Sequence, residues 1–317
     1  MTDTQNEAFK MPVNKIRLFE HGAPGSQNLK LTRKYYTEDM PDGRVKHIVQ
    51  NITDPDIVPY IPDGIGNSTD RQRIPAVLII PGGAFRRLVY NFEGEDVAKW
   101  LNSMGIAAFV LECRLPSDEH DNAEDVPLID AMRAMRVIRG RAQEFGIDEA
   151  KIGVMGFSAG GFMAALLSTA YESDVYADYK YKDEYDKLSA RPDFAVCSYP
   201  VISIDDCIEA GKRYMSEEQV LERISDGKAK ILHKYNPDKL VRPDMPPVFI
   251  CETDDDRTTL SENSVGFYMA ARKAGVSAEL HIFRTGGHGY GCGDDFAQTG
   301  EWKVLFTKWI KSIGIIS

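Results

Sequence analysis

Apolar runs of five to seven residues alternate along this chain with longer segments in which apolar residues recur every three or four positions. The short runs predict buried strands and the longer segments predict helices that bury one face. The predicted strands are AVLII (76–80), AAFVLEC (107–113), KIGVMGF (151–157), DFAVCSY (193–199), PVFICET (247–253) and AELHIF (278–283). The predicted helices are 94–105, 128–146, 159–170, 260–275 and 301–314.

Strands that are apolar along their whole length, each followed by a helix, are typical of a parallel sheet covered on both faces. The predicted fold class is therefore α/β, with a mostly parallel central sheet and helices on both of its faces. The chain shows neither an internal repeat nor an interdomain linker. We accordingly predict one domain spanning residues 1–317.

Residues 1–75 depart from the alternation and are interpreted as an N-terminal extension. Three short strands are predicted there, KIRLFE (15–20), VKHIVQNI (45–52) and DIVPYIP (56–62), and we interpret them as an antiparallel edge of the sheet. The stretch 61–75 is interpreted as a loop.

Two later segments also interrupt the pattern. Residues 171–191 are rich in Tyr and Asp, and residues 203–246 are polar and partly helical. Both are interpreted as lid or rim insertions beside a functional site; the alternative is that they are solvated helices and turns.

The charge balance argues against nucleic acid as a partner. The chain has 38 Lys and Arg against 48 Asp and Glu, a net charge of −10, and it lacks a basic run. Nucleic-acid binding requires clustered cations that displace counterions from the phosphates. No apolar run is long enough to cross a bilayer, so a membrane partner is not expected either.

The N-terminal sequence and the cysteine usage favour a cytoplasmic protein. The segment MTDTQNEAFKMPVNK at the N-terminus lacks the apolar core of a signal peptide. The five cysteines are an odd number without C-x-x-C spacing, so neither a disulfide framework nor a zinc site is indicated. Three of them lie within predicted strands and are interpreted as buried free thiols.

The pentapeptide GFSAG (156–160) follows a predicted strand and opens a predicted helix. Such a match is weak by itself, but strand–turn–helix is the setting of a nucleophile elbow. Glycines on either side of Ser158 allow the strained turn that lifts the serine hydroxyl clear of the backbone. Ser158 is therefore a candidate nucleophile.

A serine nucleophile needs a base that is held in orientation by a third group. His288 lies between glycines in RTGGHGYG, directly after the last predicted strand, and is the candidate base. The acid is expected after the preceding strand, where Asp254, Asp255 and Asp256 are adjacent. Those residues leave the choice of acid open; a cation site is the alternative interpretation, but no further ligand spacing supports it.

The loop IIPGGAF (79–85) follows an early predicted strand, where backbone N–H groups can form an oxyanion hole. Together these segments resemble the α/β-hydrolase superfamily, and more closely its esterase/lipase-like group, which includes acetyl xylan esterases and related carbohydrate acetyl esterases. The resemblance runs from about residue 75 to 291 and is carried by the segments PGGAF, FEGEDVAKWLNSMGIAAFVLECRLP, DAMRAMRVIR, KIGVMGFSAGG, DMPPVFI and ENSVGFYMAARKAGVSAELHIFRTGGHGYG.

The resemblance implies Ser158 as nucleophile, His288 as base and Asp256 as orienting acid, since the group usually has Asp-x-x-Val-Pro where this chain has DRTTL (256–260). It also implies an oxyanion hole formed by the backbone N–H groups of Gly83, Ala84 and Ala159. Three positions depart from the group's pattern: Thr259-Leu260 replace Val-Pro, Ala84 replaces a glycine, and Phe162 replaces a frequent histidine.

The function implied by the resemblance is that of a serine esterase acting on short-chain, above all acetyl, esters of carbohydrates. Neither a metal nor an organic cofactor is expected, and the expected partner is a small-molecule ester such as an acetylated oligosaccharide. The alternative is a general short-chain carboxylesterase without sugar preference; a peptidase or a non-catalytic binding module is less favoured.

Overall fold

The computed structural model describes residue 9 and residues 14–64, 73–213, 216, 218–219, 229–293 and 298–317. Within these residues the strands are β1 (Ile16–Arg17), β2 (Lys34–Asp39), β3 (Val45–Gln50), β4 (Asp56–Tyr60), β5 (Ile74–Ile80), β6 (Leu88–Val89), β7 (Ala107–Glu112), β8 (Ile147–Phe157), β9 (Ala195–Ser198), β10 (Val248–Thr253) and β11 (Ala278–Phe283). The α-helices are α1 (Asp96–Ser103), α2 (Val126–Gly140), α3 (Ala142–Phe145), α4 (Ala159–Ala170), α5 (Ile204–Lys212), α6 (Ala229–Lys234), α7 (Ser261–Lys273) and α8 (Trp302–Ser312). A π-helical turn, Asn91–Glu95, leads into α1.

Eight of the described strands form one sheet in the order β1-β4-β7-β5-β8-β9-β10-β11. The six strands from β7 to β11 in this order are parallel to one another. They are the six strands predicted from the apolar runs, so the prediction of a mostly parallel sheet is confirmed. β1 and β4 add the predicted antiparallel edge.

The segment predicted as a strand at 45–52 lies elsewhere. It forms β3, which pairs with β2 and β6 in a separate antiparallel sheet of three strands. Its placement at the edge of the central sheet was therefore wrong. β2, KYYTED, was not predicted because its polar side chains are only half-buried, and β6 has just two residues.

Helices cover both faces of the central sheet, as predicted. Successive residues of a strand point to opposite faces. At the end of β8, a Cβ on Gly156 would meet the carbonyl of Gly160 in α4, whereas the neighbouring Phe157 ring packs 6.4 Å from Trp302 in α8. α4 and α8 therefore lie on opposite sides of the sheet.

The helix predicted at 128–146 is two helices. α2 ends at Gly140, and α3 follows from Ala142 after one intervening residue. A Cβ on Gly140 would lie 2.3 Å from the ring of Tyr185, so this close approach requires glycine. Gly146 closes α3 in the left-handed conformation, with φ 65°.

The two segments interpreted as lids differ in what the structure describes. Residues 171–191 are held against the rest of the protein by polar contacts. Arg133 of α2 forms ion pairs with Asp183 and Asp186, and the hydroxyl of Tyr179 donates to the carbonyl of Gly22 over 2.9 Å. Residues 203–246 contain α5 and α6, but 214–215, 217 and 220–228 lie outside the described residues, as do 65–72 of the predicted loop 61–75. A lid role for either segment stays a prediction.

In the described part of the chain, no helix is both long enough and apolar enough to cross a membrane. Cys113, Cys197 and Cys251 are buried free thiols, as predicted. Burial raises the pKa of Cys251 to about 12, so this thiol stays protonated and unreactive near neutral pH.

α4 begins almost in contact with the strands beneath it. A Cβ on Gly160 would lie 1.9 Å from the carbonyl oxygen of Ile80, and one on Gly156 would lie 1.9 Å from the carbonyl oxygen of Gly160. Both distances are far inside van der Waals contact with backbone atoms, which cannot move aside individually. These two glycines therefore allow the close junction of β5, β8 and α4.

We predict that Gly160→Ala lowers the free energy of unfolding by about 2 kcal/mol or more, because the added methyl group has to displace backbone. Gly266→Ala is the matched control: Gly266 is exposed in α7, and its Cβ would meet no atom within 4 Å. That substitution should stabilise the protein by about 0.5–1 kcal/mol through helix propensity. Urea denaturation measures both; equal effects of the two substitutions would refute the close-packing argument.

Candidate active site

Ser158 stands at the junction of β8 and α4. Its backbone has φ 54° and ψ −119°, a region that a non-glycine residue adopts only under strain. Hydrogen bonds hold this turn: the Ser158 N–H donates to the carbonyl of Ser198, and its own carbonyl accepts from the N–H of Phe162, both over 3.0 Å. The geometry is that of a nucleophile elbow.

Three of the predicted site residues meet in one hydrogen-bonded chain. The Oγ of Ser158 lies 2.8 Å from Nε2 of His288, and Nδ1 of His288 lies 2.6 Å from Oδ2 of Asp256. An ionised carboxylate only accepts, so Nδ1 carries the proton toward Asp256, and Nε2 is left to accept the hydroxyl proton of Ser158. The arrangement suits proton transfer from the serine to the imidazole.

Asp256 is the member of the acidic triplet that contacts His288. It is buried and also accepts hydrogen bonds from the N–H groups of Thr258 and Thr259, over 2.7 and 3.0 Å. Burial by itself would raise the pKa of Asp256, but the hydrogen bond and charge of His288 and the two N–H groups outweigh it and hold the pKa below its ordinary value. The carboxylate is therefore ionised at neutral pH.

Asp255 points to a different partner. It accepts a hydrogen bond from the N–H of Gly287 over 2.8 Å, so it braces the loop that carries His288 rather than the imidazole itself. Thr259, which stands where the esterase/lipase-like group usually has valine, contributes to the site. The Thr259 hydroxyl donates to Asp256 over 2.9 Å and lies 3.2 Å from Nδ1 of His288. Geometry thus separates two neighbouring acids that the sequence left as alternatives.

The loop after β5 runs directly beside Ser158. A Cβ on Gly82 would lie 2.9 Å from the Cβ of Ser158. Gly83 has φ 138°, and a Cβ there would lie 2.1 Å from the carbonyl oxygen of Arg87, so glycine is required. Ala84, with φ 56°, adopts the left-handed conformation without glycine.

Backbone N–H groups of the loop after β5 and of the start of α4 lie close to Ser158 in the chain or in the same cavity. Among the described residues, the N–H groups of Gly83 and Ala84 meet no acceptor, and both residues line the cavity that contains Ser158. Ala159 is the first residue of α4, where N–H groups have no partner within the helix. These donors and the positive end of the helix are available to a negative charge developing next to Ser158.

A buried carboxylate, Glu93, connects two of the active-site loops and was not predicted. Its Oε2 accepts from the N–H of Gly82 over 2.8 Å, and its Oε1 accepts from the hydroxyl of Tyr199 over 2.9 Å. That hydroxyl in turn accepts from the N–H of Gly291 over 3.0 Å, and the Tyr199 ring packs 5.0 Å from the ring of His288. Glu93 therefore ties the loop after β5 to the loop that carries His288.

Burial raises the pKa of Glu93, while the charge of His288 and the hydrogen bonds from Tyr199 and Gly82 act in the opposite direction. Both oxygens of Glu93 face donors, an arrangement that suits the ionised form. In the sequence Glu93 lies in NFEGED, which has the composition of an ordinary helix start. No local pattern distinguishes it from a solvent-exposed acid.

Ser158 and His288 open into a cavity of about 600 Å³. One wall comes from the β2–β3 hairpin, which contributes Met40, Arg44, Lys46 and Gln50. This wall was also missed, because the N-terminal strands were predicted at the edge of the central sheet. A second cavity of about 10 Å³ lies on the other side of the loop after β5, and its lining is mostly apolar: Ile80, Pro81, Gly82, Phe85, Arg87, Leu88, Cys113, Arg114, Leu115, Pro116, Pro127, Ala159, Gly160 and Met163.

Comparison with known protein families gives one matching model, BD-FAE, over residues 65–270. The chain belongs to the BD-FAE family. The match includes Ser158 and Asp256 and ends before His288. This membership, together with the sheet order, confirms the α/β-hydrolase fold and the resemblance to the esterase/lipase-like group.

Relatives of this BD-FAE protein include carbohydrate-active enzymes. It is 31% identical over 240 residues to an acetylxylan esterase of Xylanibacter ruminicola, an alignment that covers 75% of this chain and 45% of that protein. It is 31% identical over 227 residues to endo-1,4-beta-xylanase B of Butyrivibrio fibrisolvens, covering 71% of this chain and 34% of that protein. The chain thus spans less than half the length of the curated relatives that it matches.

A solved structure matches this BD-FAE protein over nearly its whole length. The acetyl ester-xyloside bifunctional hydrolase of Caldicellulosiruptor lactoaceticus is 34% identical, with a TM-score of 0.71. The alignment covers 96% of this chain and 97% of that one. The similarity therefore extends to the N-terminal strands as well as to the residues matched by the family model.

Proposed function

We propose that this protein is a serine esterase that hydrolyses acetyl esters of carbohydrates. The observation that carries the proposal is the chain of hydrogen bonds from Ser158 through His288 to Asp256, with the serine on a strained elbow next to unpaired backbone N–H groups. A buried serine placed only for structure would need neither an imidazole on its hydroxyl nor an ionised acid behind that imidazole.

In the proposed mechanism, Ser158 Oγ attacks the ester carbonyl carbon while Nε2 of His288 takes the hydroxyl proton. The carbonyl oxygen becomes an oxyanion that accepts hydrogen bonds from the N–H groups of Gly83, Ala84 and Ala159. When the C–O bond to the alcohol breaks, His288 returns the proton to the leaving oxygen. Water, deprotonated by His288, then cleaves the acyl-enzyme by the same steps in reverse order.

Two observations support a short acyl group and a sugar alcohol. The apolar cavity beside Gly82 and Ala159 has room for about one water-sized group, which matches the methyl group of acetate. The larger cavity has room for a bulky alcohol. The relatives named above include an acetylxylan esterase and an acetyl ester-xyloside hydrolase. A cytoplasmic location remains a prediction from the sequence.

The first test measures kcat/KM for 4-nitrophenyl acetate, butyrate and octanoate. We expect the rate to fall by about tenfold or more from acetate to octanoate, because the small apolar cavity cannot accept a long chain. Ser158→Ala should lower kcat at least about a thousandfold and abolish labelling by a fluorophosphonate. Ser103→Ala, which changes an exposed serine on α1, is the control that should match the wild type.

The outcomes separate the proposal from its alternatives. Equal rates on all three esters, with no preference for acetylated xylo-oligosaccharides, would indicate a general carboxylesterase. Full activity in Ser158→Ala would refute the serine mechanism.

A second test separates the two neighbouring acids. Asp256→Asn should lower kcat by about 10³- to 10⁴-fold, because an amide next to Nδ1 of His288 favours the wrong imidazole tautomer. Asp255→Asn keeps an oxygen that can accept the N–H of Gly287 and loses only the negative charge, so it should cost less than about tenfold. Steady-state kinetics on 4-nitrophenyl acetate gives both values, and the reverse order of effects would assign the acid to Asp255.

A third test addresses Glu93, which touches no reacting atom and is a positioning residue. Glu93→Gln places an amide N–H₂ group against the N–H of Gly82 or the hydroxyl of Tyr199 and should lower kcat about tenfold to a hundredfold, with KM little changed. Tyr199→Phe breaks the same connection from the other end. The double variant should therefore lose less than the product of the two single losses; fully multiplicative losses would show that the two residues act separately.

A further inference from the structure

The wall that faces Ser158 is cationic, although the protein as a whole carries a net charge of −10. Four of the described residues that line the large cavity are basic: Arg44, Lys46, Arg86 and Arg87. Glu93 is the one acidic residue among them, and it is buried with both oxygens turned to Gly82 and Tyr199. Among the described lining residues, basic groups therefore outnumber acidic ones, whereas acidic residues outnumber basic ones in the whole chain.

Two of these cations are paired within the wall. Arg87 forms an ion pair with Glu38, and Arg44 forms one with Asp42 over 2.8 Å while its guanidinium lies 5.2 Å from the centre of the Phe92 ring. Neither of these ion pairs involves Lys46, so the positive charge of Lys46 is not neutralised by an ion pair with a described residue. An excess of one sign at the mouth of a cleft concentrates ligands of the opposite sign.

Lys46 places its positive charge at a defined position in the cavity wall. In the two-residue repeat of β3, Lys46 and Gln50 face the same side, and both line the cavity. The residue opposite Lys46 in β2 is Glu38, whose carboxylate pairs with Arg87. Among the described residues, no carboxylate lies within 4 Å of the half-buried Lys46 ammonium, so this group is available to a ligand.

We propose that the cavity selects esters whose alcohol part carries a carboxylate, bound by Lys46. The inference rests on the proposed esterase function and specifies its substrate class: among carbohydrates, an acetylated oligosaccharide that bears a uronic acid. The carboxylate belongs to the alcohol part because the cationic wall lines the 600 Å³ cavity, whereas the small apolar cavity matches the acetyl methyl group. A half-buried ammonium and a carboxylate form a charge-assisted hydrogen bond.

The test uses a matched pair of small acetates, 4-acetoxybenzoate and the uncharged 4-acetoxybenzamide. The ratio of their kcat/KM values, each divided by its rate of hydroxide hydrolysis, measures the preference for charge. We expect the wild type to prefer the carboxylate and Lys46→Gln to lower the ratio about three- to tenfold, chiefly through KM. Lys46→Glu should lower it further.

Lys308→Gln is the matched control, because it removes the same charge from an exposed position on α8 that is not among the cavity-lining residues. It should leave both rates unchanged. Raising the salt concentration from about 0.01 M to about 1 M should shrink the wild-type preference, since the screening length falls from about 30 Å to about 3 Å.

Two further measurements determine whether the recognised carboxylate belongs to the alcohol part or to the acyl part of the ester. Acetylated xylo-oligosaccharides with a glucuronic acid branch should be deacetylated faster than unbranched ones by the wild type, and this advantage should diminish in Lys46→Gln. Mono-4-nitrophenyl succinate, which carries its carboxylate on the acyl part, should be hydrolysed no faster than 4-nitrophenyl butyrate. A preference for charge confined to the succinate would overturn the assignment to the alcohol part.

The inference and the function can fail separately. The proposed substrate class is wrong if the wild type hydrolyses 4-acetoxybenzoate and 4-acetoxybenzamide with equal efficiency, or if Lys46→Gln and Lys308→Gln give the same ratio of kcat/KM values. In either case the proposed esterase function is unaffected. If neither ester is hydrolysed and fluorophosphonate does not label Ser158, the proposed function itself is wrong.

Discussion

The contact between the start of α4 and the ends of β5 and β8 is the constraint on which the site depends. Gly156 and Gly160 let helix and strands approach until backbone meets backbone. Only at that separation can one residue, Ser158, join them, and it does so with φ 54°. The strain at this residue is compensated by packing on both sides, so the hydroxyl and the helix N-terminus arrive at the same point.

A second constraint joins loops that are distant in the chain. The loop with Gly83 and Ala84 follows β5 and the loop with His288 follows β11, and in the sheet β8, β9 and β10 lie between these strands. Glu93 and Tyr199 bridge them through buried hydrogen bonds to Gly82 and Gly291. Buried bonds of this kind are strong when every member has a partner, so the two loops hold a common geometry without a substrate.

The sequence predicted what depends on local pattern. Apolar runs identified the parallel strands, and Ser158 and His288, which the structure brings into contact, were chosen because each stands in a turn just after such a run. Asp256 could not be separated from Asp255 without the resemblance, since the difference lies in which carboxylate the folded loop turns toward His288. Glu93, Tyr199 and the β2–β3 hairpin were missed because their roles depend on contacts between distant segments: 106 residues separate Glu93 from Tyr199, and 44 separate His47 of β3 from Asn91.

The division between predicted and missed residues follows a division of labour in the fold. The proposed catalytic groups sit at strand ends of the central sheet, where the geometry at Ser158 is set by the close backbone packing at Gly156 and Gly160. Arg44 and Lys46 in the cavity wall come instead from the β2–β3 hairpin of a small separate sheet with half-buried strands. Substitutions there change a side chain that faces the cavity without disturbing the junction of β5, β8 and α4. In the proposed esterase, selectivity for the alcohol can therefore vary on this hairpin while the hydrolytic chemistry stays constant.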